Sequence, residues 1–208
     1  MPAEVQIVDV DHSGKPRRYV FVLMENFTML CFAAALESLR IANRTAGKEL
    51  YTWKIVSESG EDATCSNGCA FRVDSDLPEL ERDDVIMLCS GIDVQHATTK
   101  RLLNWIRREA RRGATVAGLC TAGYTMAKAG LLDGKRATIH WENQDSFAEE
   151  FEEEERIEVR SDPFGLASHA QDESRTQPPA AATVIRSVVT RDPSVTVRVI
   201  SWASPSAS

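Results

Sequence analysis

Apolar residues in this chain alternate between short continuous runs and stretches where they recur every three or four positions. Arg18-Arg-Tyr-Val-Phe-Val-Leu-Met24 is such a run, and it predicts the first strand of a buried parallel sheet. Glu25-Asn-Phe27 turns out of it, and Thr28 is placed to cap a helix from Met29 to Asn43 with Leu30, Ala33, Ala34, Leu36, Leu39 and Ile41 as its apolar stripe. Gly47 closes that connection. Tyr51 to Ser57 alternates as a strand, Ser66-Asn67-Gly68 reads as a hairpin turn, and Ala70 to Val73 is the returning strand. Asp84 to Ser90 is a second continuous run, ending at Ser90-Gly91. Thr98 to Arg112 has helical spacing, with Leu102, Leu103, Trp105, Ile106 and Ala110 facing inward and Gly113 as its stop.

Thr115 to Leu119 is a third buried run, and helical spacing resumes at Thr121 and continues until near Gly130. Cys120 falls at the junction, with Gly118 and Ala122 two residues to either side. Small residues on both sides of a sharp strand-to-helix turn are what a nucleophile elbow needs, and helix-end amides there favour a thiolate. The competing reading is a small buried hydrophobe, the usual state of a free cysteine. Beyond the elbow, Arg136 to Ile139 predicts a short strand that delivers His140 and Trp141. Asn143 to Phe151 predicts a helix that ends in an acidic, solvated run, and Arg156 to Arg160 one more strand.

Strands alternating with helices define the fold class as α/β: a three-layer α/β/α sandwich with a mainly parallel sheet. Sites in such sheets lie outside the C-terminal strand ends. Phe27, Ser90-Gly91, Cys120 and His140 all fall at such ends. Residues 1–17 read as a polar arm and 18–162 as the folded domain. The Ser-, Pro-, Ala- and Arg-rich segment 163–208 reads as a disordered tail, or as a β-hairpin of Thr183–Thr190 with Val195–Ile200 around Asp192-Pro193.

Composition narrows the chemistry. At 208 residues and 43% hydrophobic, the chain can bury one full core, and a formal net charge of −7 argues against gripping nucleic acid by charge. The N-terminus lacks the pattern of a signal peptide, and no apolar run reaches the roughly 20 residues that span a bilayer. Five cysteines, an odd number, point to reduced cytoplasmic thiols. Cys65 and Cys69 have no second pair at zinc-finger spacing, so no metal and no cofactor is expected. The basic side chains of the Thr98–Arg112 helix form a solvated outer face, with an anion patch as the alternative.

Phe21-Val-Leu-Met-Glu-Asn-Phe-Thr-Met-Leu30, Ala35-Leu-Glu-Ser-Leu-Arg-Ile-Ala-Asn43, Gly118-Leu-Cys-Thr121, Ala129-Gly-Leu-Leu-Asp-Gly134 and Ala137-Thr-Ile-His-Trp-Glu-Asn143 carry a resemblance. Over about Arg18 to Asp162 the chain resembles the N-terminal PfpI/ThiJ domain of GlxA-type AraC-family transcription regulators, a flavodoxin-like, class I glutamine amidotransferase-like fold. The resemblance is strongest to the branch that senses betaines, carnitine or arginine. It implies a non-catalytic module that binds a small-molecule effector, with Phe27, Gly91, Cys120, Thr121, His140 and Trp141 as ligand-binding residues. Gly91 and the amides after Cys120 would hold a carboxylate, and Phe27 and Trp141 would face an ammonium group. Core packing is the alternative for both rings, and a strand-end hydrogen bond the alternative for His140.

Catalytic members place an acid on the first helix, and the matching position here is Cys31; many carry His after the nucleophile, where this chain has Thr121. Cys120 and His140 are therefore vestigial catalytic candidates. The rival reading is a cysteine hydrolase or glyoxalase-type enzyme using those two residues. The resemblance ends near Asp162, where relatives continue toward a helix-turn-helix module, so truncation or a frame shift is the expectation. DNA contact is expected only of full-length relatives, with no membrane partner and with a homodimer allowed for.

Overall fold

The computed structural model of the chain describes residues 15–133, 135–137, 147, 151, 157–159, 182–186, 188–189 and 198–202. β1 (Arg17–Leu23) leads into α1 (Met29–Ala46) and β2 (Tyr51–Val56), followed by the small hairpin of β3 (Ala63–Thr64) and β4 (Ala70–Phe71). β5 (Val85–Cys89), α2 (Val94–Ala97), α3 (Lys100–Arg112) and β6 (Thr115–Leu119) come next. A single 3-10 turn at Cys120–Ala122 then opens α4 (Gly123–Lys128). The later strands are β7 (Lys135–Ala137), β8 (Ile157–Val159), β9 (Ala182–Arg186), β10 (Val188–Val189) and β11 (Arg198–Trp202).

The main sheet has the order β10-β6-β5-β1-β2, with β6, β5, β1 and β2 parallel and β10 antiparallel on the β6 edge. The chain thus leaves β1 toward β2 on one side and returns to β5 on the other. That makes the gap between the ends of β1 and β5 the switch point at which such sheets form a crevice.

Alternation along β1 builds both cores. Val20, Val22 and Met24 join Ile86, Leu88, Val116, Leu102, Trp105 and Ile106 under α3 and α4. Tyr19, Phe21 and Leu23 join Val85, Met87, Ala117 and Phe32 under α1. Helices on both faces of one sheet make the three layers.

Ala34, Leu36 and Leu39 of the expected α1 stripe pack against the core, but its two outer members do not. Phe32 and Ala35 are its buried residues, whereas Leu30 and Ile41 are 58% and 52% exposed. The cause is Phe32, whose ring meets Phe21, Phe27 and Phe71 edge-on at centroid distances of 5.6 to 5.8 Å. Such pairs contribute about 0.5–1.5 kcal/mol each beyond burial, enough to fix which side of the helix faces down. The helix also runs past Asn43. The Asn43 side chain accepts from the Leu50 and Tyr51 amides and donates to the Tyr51 carbonyl, and Gly47 at φ +62° ends the helix.

α3 starts at Lys100, where the Thr99 hydroxyl accepts the Leu102 amide, and it ends at Gly113 as expected. Its inward face includes Glu109, completely buried, which takes up the Leu80 amide and the Arg108 guanidinium. Arg101, Arg107, Arg108 and Arg112 of this helix have partners inside the chain. Arg101 meets Asp76, Arg112 meets Glu79, and Arg107 donates to the Lys128 and Ala129 carbonyls at the end of α4.

Phe147 and Phe151 are helical and stack at 4.6 Å, with Phe151 edge-on to Tyr124 of α4. The rest of the helix expected over 143–151 lies outside the described residues. β7 and β8 form a parallel ladder of their own, and β9 pairs antiparallel with β11 from Ala182↔Trp202 to Arg186↔Arg198. Much of 163–208, where disorder was the other expectation, lies outside the described residues.

At the end of the sheet away from the site, Arg18 grips the buried Asp84 with both nitrogens, at 2.9 and 2.5 Å, tying β1 to the start of β5. The guanidinium is held above its ordinary pKa, chiefly by this hydrogen bond. Asp84 also accepts the Glu81 amide at 2.7 Å. Arg18→Met leaves a buried carboxylate without its cation and should lower the unfolding free energy by about 2 kcal/mol. Urea denaturation checks this against Arg40→Met, which removes an exposed pair with Glu37 and should leave the midpoint unchanged.

Candidate functional site

Among the described residues three other than glycine have left-handed backbone, and all follow the C-terminal end of a strand: Asn26 after β1 at φ +56°, Asp93 after β5 at +54°, and Cys120 after β6 at +57°. Such conformations persist where surrounding structure over-determines them, and they cluster at functional sites. Cys120 lies between the last residue of β6 and the turn that opens α4, where the sequence places an elbow. Gly118 makes the turn tight. A Cβ there would stand 2.9 Å from the Met126 sulfur and 3.1 Å from Ala122 Cβ, so only glycine lets α4 fold back onto β6 this closely.

The loops after β1 and β5 meet backbone to backbone. The Thr28 amide donates to the Ser90 carbonyl at 3.1 Å and the Ile92 amide to the Asn26 carbonyl at 3.2 Å, with Phe27 opposite Gly91. A Cβ on Gly91 would lie 2.2 Å from the Asn26 oxygen. In this pairing the Gly91 N–H is not one of the two donors. The Thr121 hydroxyl, buried, donates to the Gly91 carbonyl at 2.7 Å and lies 3.1 Å from the Ser90 hydroxyl, which fastens the elbow to the β5 loop.

This lattice brings Thr28, at the N-cap of α1, and Cys31 of its first turn against the elbow. The Thr28 hydroxyl is 3.5 Å from the Cys120 sulfur, and no side-chain cap bond forms at the helix it precedes. Its expected capping role is therefore replaced by contact with the cysteine. Cys31, one turn further on, hydrogen-bonds Cys120 through its side chain. That hydrogen bond, burial and the adjacent Cys120 charge push the Cys31 thiol far above the ordinary range. Burial, with Cys120 adding to it, pushes the completely enclosed Cys89 up as well. Cys31 and Cys120 are each half-buried.

The structure thus joins Cys120, Thr121, Gly91 and the backbone of Phe27, and adds Thr28, Cys31 and Ser90. The expected ligand contact of the Phe27 ring is corrected: the ring is 0% exposed and packs edge-on against Phe32 and Phe71, because the bridge to Gly91 turns it into the core. His140 and Trp141 lie outside the described residues. Thr28 carried no sequence signal beyond capping, because its partner is distant in the chain.

A separate cleft of about 340 Å³ opens beside the end of β1, walled by Met24, Glu25, Glu58, Asp62, His96 and Arg101 among others. Cys120 does not line it. Among the described residues no group of His, Cys, Asp and Glu is arranged to hold a metal, and no helix is long and apolar enough to cross a membrane.

The chain belongs to the DJ-1/PfpI family, whose model matches residues 18–172. It is 38% identical over 131 residues to HTH-type transcriptional regulator CdhR of Pseudomonas aeruginosa, covering 63% of this chain and 39% of that protein. With HTH-type transcriptional regulator GlxA of Rhizobium meliloti it shares 32% over 140 residues, 67% of this chain and 43% of that one. The chain spans about two fifths of the length of these curated relatives. Among solved structures it is similar to an AraC family transcriptional regulator from Pseudomonas putida, at 25% identity and a TM-score of 0.61, covering 73% of this chain and 80% of that one.

Gly91→Ala should cost about 1–3 kcal/mol, because the new methyl meets backbone rather than a movable side chain. Thermal or urea unfolding reads the loss, and an unchanged midpoint would mean that the contact between the two loops is slack.

Proposed function

We propose that this chain is the effector-sensing domain of an AraC-type transcription regulator, acting in the cytoplasm and holding a small amine or amino acid such as a betaine, carnitine or arginine at the elbow. What carries the reading is the Cys31–Cys120 contact. Nucleophilic cysteine chemistry needs a base and an orienting acid. Here the helix position that the family resemblance assigns to the acid holds a thiol, kept protonated by its surroundings. The names of the relatives support the regulatory half of the reading. In this proposal the Gly91 N–H and the amides after Cys120 receive the effector carboxylate, and Trp141 faces its cationic end. DNA contact belongs to a helix-turn-helix module, not to the acidic domain described here.

The enzyme reading keeps one observation in its favour, the left-handed backbone that lifts Cys120 out of the strand. In that reading Cys120 is the nucleophile and His140 its base. Hydrolase or glyoxalase turnover abolished by Cys120→Ser would decide for it.

A thermal-shift screen against betaines, carnitine and basic amino acids tests the sensing role. An effector at about 100 times its dissociation constant should stabilise the fold by roughly 2.7 kcal/mol. It should also slow alkylation of Cys120 in proportion to occupancy. Stabilisation without that protection moves the effector to the cleft beside Glu58; no stabilisation by any of these compounds removes the ligand class.

A further inference from the structure

We infer that the cleft beside the end of β1 is a binding site for a small aliphatic diamine, held by Glu58 inside and by Glu25 and Asp62 at the mouth. The inference does not depend on the effector reading, because none of Thr28, Cys31, Cys120 and Thr121 lines this cleft. It lies where a parallel sheet forms its crevice, outside the C-terminal strand ends. One wall is the end of β1 itself. The others are the loop after β2 and the α2–α3 junction after β5, and β2 and β5 are the strands on either side of β1. A volume of about 340 Å³ is of the size that takes a small organic molecule.

The lining is apolar below and acidic above. Leu23, Met24, Ala63 and Leu102 are buried and make the floor. Glu58 also lines the cleft and is half-buried, and its carboxylate takes the Thr99 hydroxyl at 2.7 and 2.8 Å from its two oxygens. A single hydroxyl proton leaves most of a carboxylate's acceptor capacity open. The same hydroxyl accepts the Leu102 amide at 3.1 Å, so Thr99 is fixed at the start of α3. A carboxylate held partly out of water is costly without a cation beside it. Among the described residues no cationic side chain is in ion-pair reach of Glu25, Glu58 or Asp62. Arg101 stands at the rim but is drawn away, pairing with Asp76 at 3.3 Å. Gly60, at φ +82°, lets the loop after β2 close on that aspartate; a Cβ there would stand 2.9 Å from the Asp76 nitrogen.

These features select the occupant. Among the described residues no three acidic, His or Cys side chains are grouped to hold a metal ion, so the carboxylates of the cleft do not converge on a point charge. Glu58 is half-buried, whereas Glu25 and Asp62 are exposed, which sets acceptors at two depths. An alkyl diamine matches that spread. One ammonium meets Glu58, the methylenes cover Leu23, Met24 and Leu102, and the second ammonium meets Glu25 or Asp62. Charge-assisted hydrogen bonds orient such a ligand, and the covered methylenes add affinity.

Isothermal titration of the full chain with putrescine, under reductant, tests the site. The expected result is one-to-one binding that weakens as salt rises, with n-butylamine, which has one ammonium, binding several-fold more weakly. Glu58→Gln keeps an acceptor for Thr99 and removes the charge, and it should weaken putrescine by about 10- to 100-fold. Asp62→Asn, at the exposed mouth, should weaken it several-fold and reads the same site if the Glu58 variant fails to fold. Glu37→Gln, on the exposed side of α1, should bind as the wild type does. No binding at millimolar putrescine, equal affinity for n-butylamine, or wild-type affinity in the Glu58 and Asp62 variants would each overturn the proposal. Saturating putrescine should leave the alkylation rate of Cys120 unchanged. Slowed alkylation would put the amine at the elbow, overturning this inference and leaving the effector reading intact. An effector that protects Cys120 should do so equally in Glu58→Gln.

Discussion

The backbone contact between Gly91 and the Asn26–Thr28 loop holds this structure's functional end together. Two parallel strands cannot be joined by a tight turn, so their C-terminal loops leave independently and have no covalent reason to meet. Here they meet because a residue without Cβ allows one main chain to close on the other, with two amide–carbonyl bonds across the gap. Each such bond contributes only about 1 kcal/mol net, so the value of the pairing lies in position more than in stability. It turns Phe27 into the core, starts α1 at a fixed angle, and sets Thr28 and Cys31 over the elbow.

The elbow itself is a second constraint, built from the other side of the sheet. Gly118 lets α4 fold back onto β6, and the Thr121 hydroxyl fastens the turn to the Gly91 carbonyl. The left-handed conformation at Cys120 costs of order 1–3 kcal/mol in isolation and is retained because both sides of the turn are tied down. A cysteine held this way contacts the Thr28 hydroxyl just before α1 and the Cys31 thiol in its first turn. The relay of a cysteine hydrolase needs a base and an orienting acid, and neither of these two neighbours is a carboxylate or an imidazole.

Stability and chemistry sit at opposite ends of the same strands. The Arg18–Asp84 pair locks β1 to β5 where they begin, and the strained residues Asn26, Asp93 and Cys120 gather where the strands end. The aromatic cluster of Phe21, Phe27, Phe32 and Phe71 lies under α1 on the way between them. One end of the sheet thus carries the candidate site and the other holds its strands together.

The apolar runs of β1, β5 and β6 are continuous and bounded by glycine or turn residues, so the buried parallel strands and the place of Cys120 after the last of them were legible from the chain. Local pattern decides such elements because a strand buried on both faces has little other sequence available to it. The helical period of α1 and the inward placing of Ala34, Leu36 and Leu39 were legible too, but Phe32 as its anchor was not. Leu30 and Ile41 satisfy the spacing as well as Phe32 does, and only the aromatic partners from β1 and β4 choose between them. Tertiary structure alone decided that Phe27 is core, that Thr28 serves a sulfur in place of a helix end, and that Glu109 is buried. Each of these depends on a partner tens of residues away, and a periodicity read within one element carries no information about what lies across the sheet.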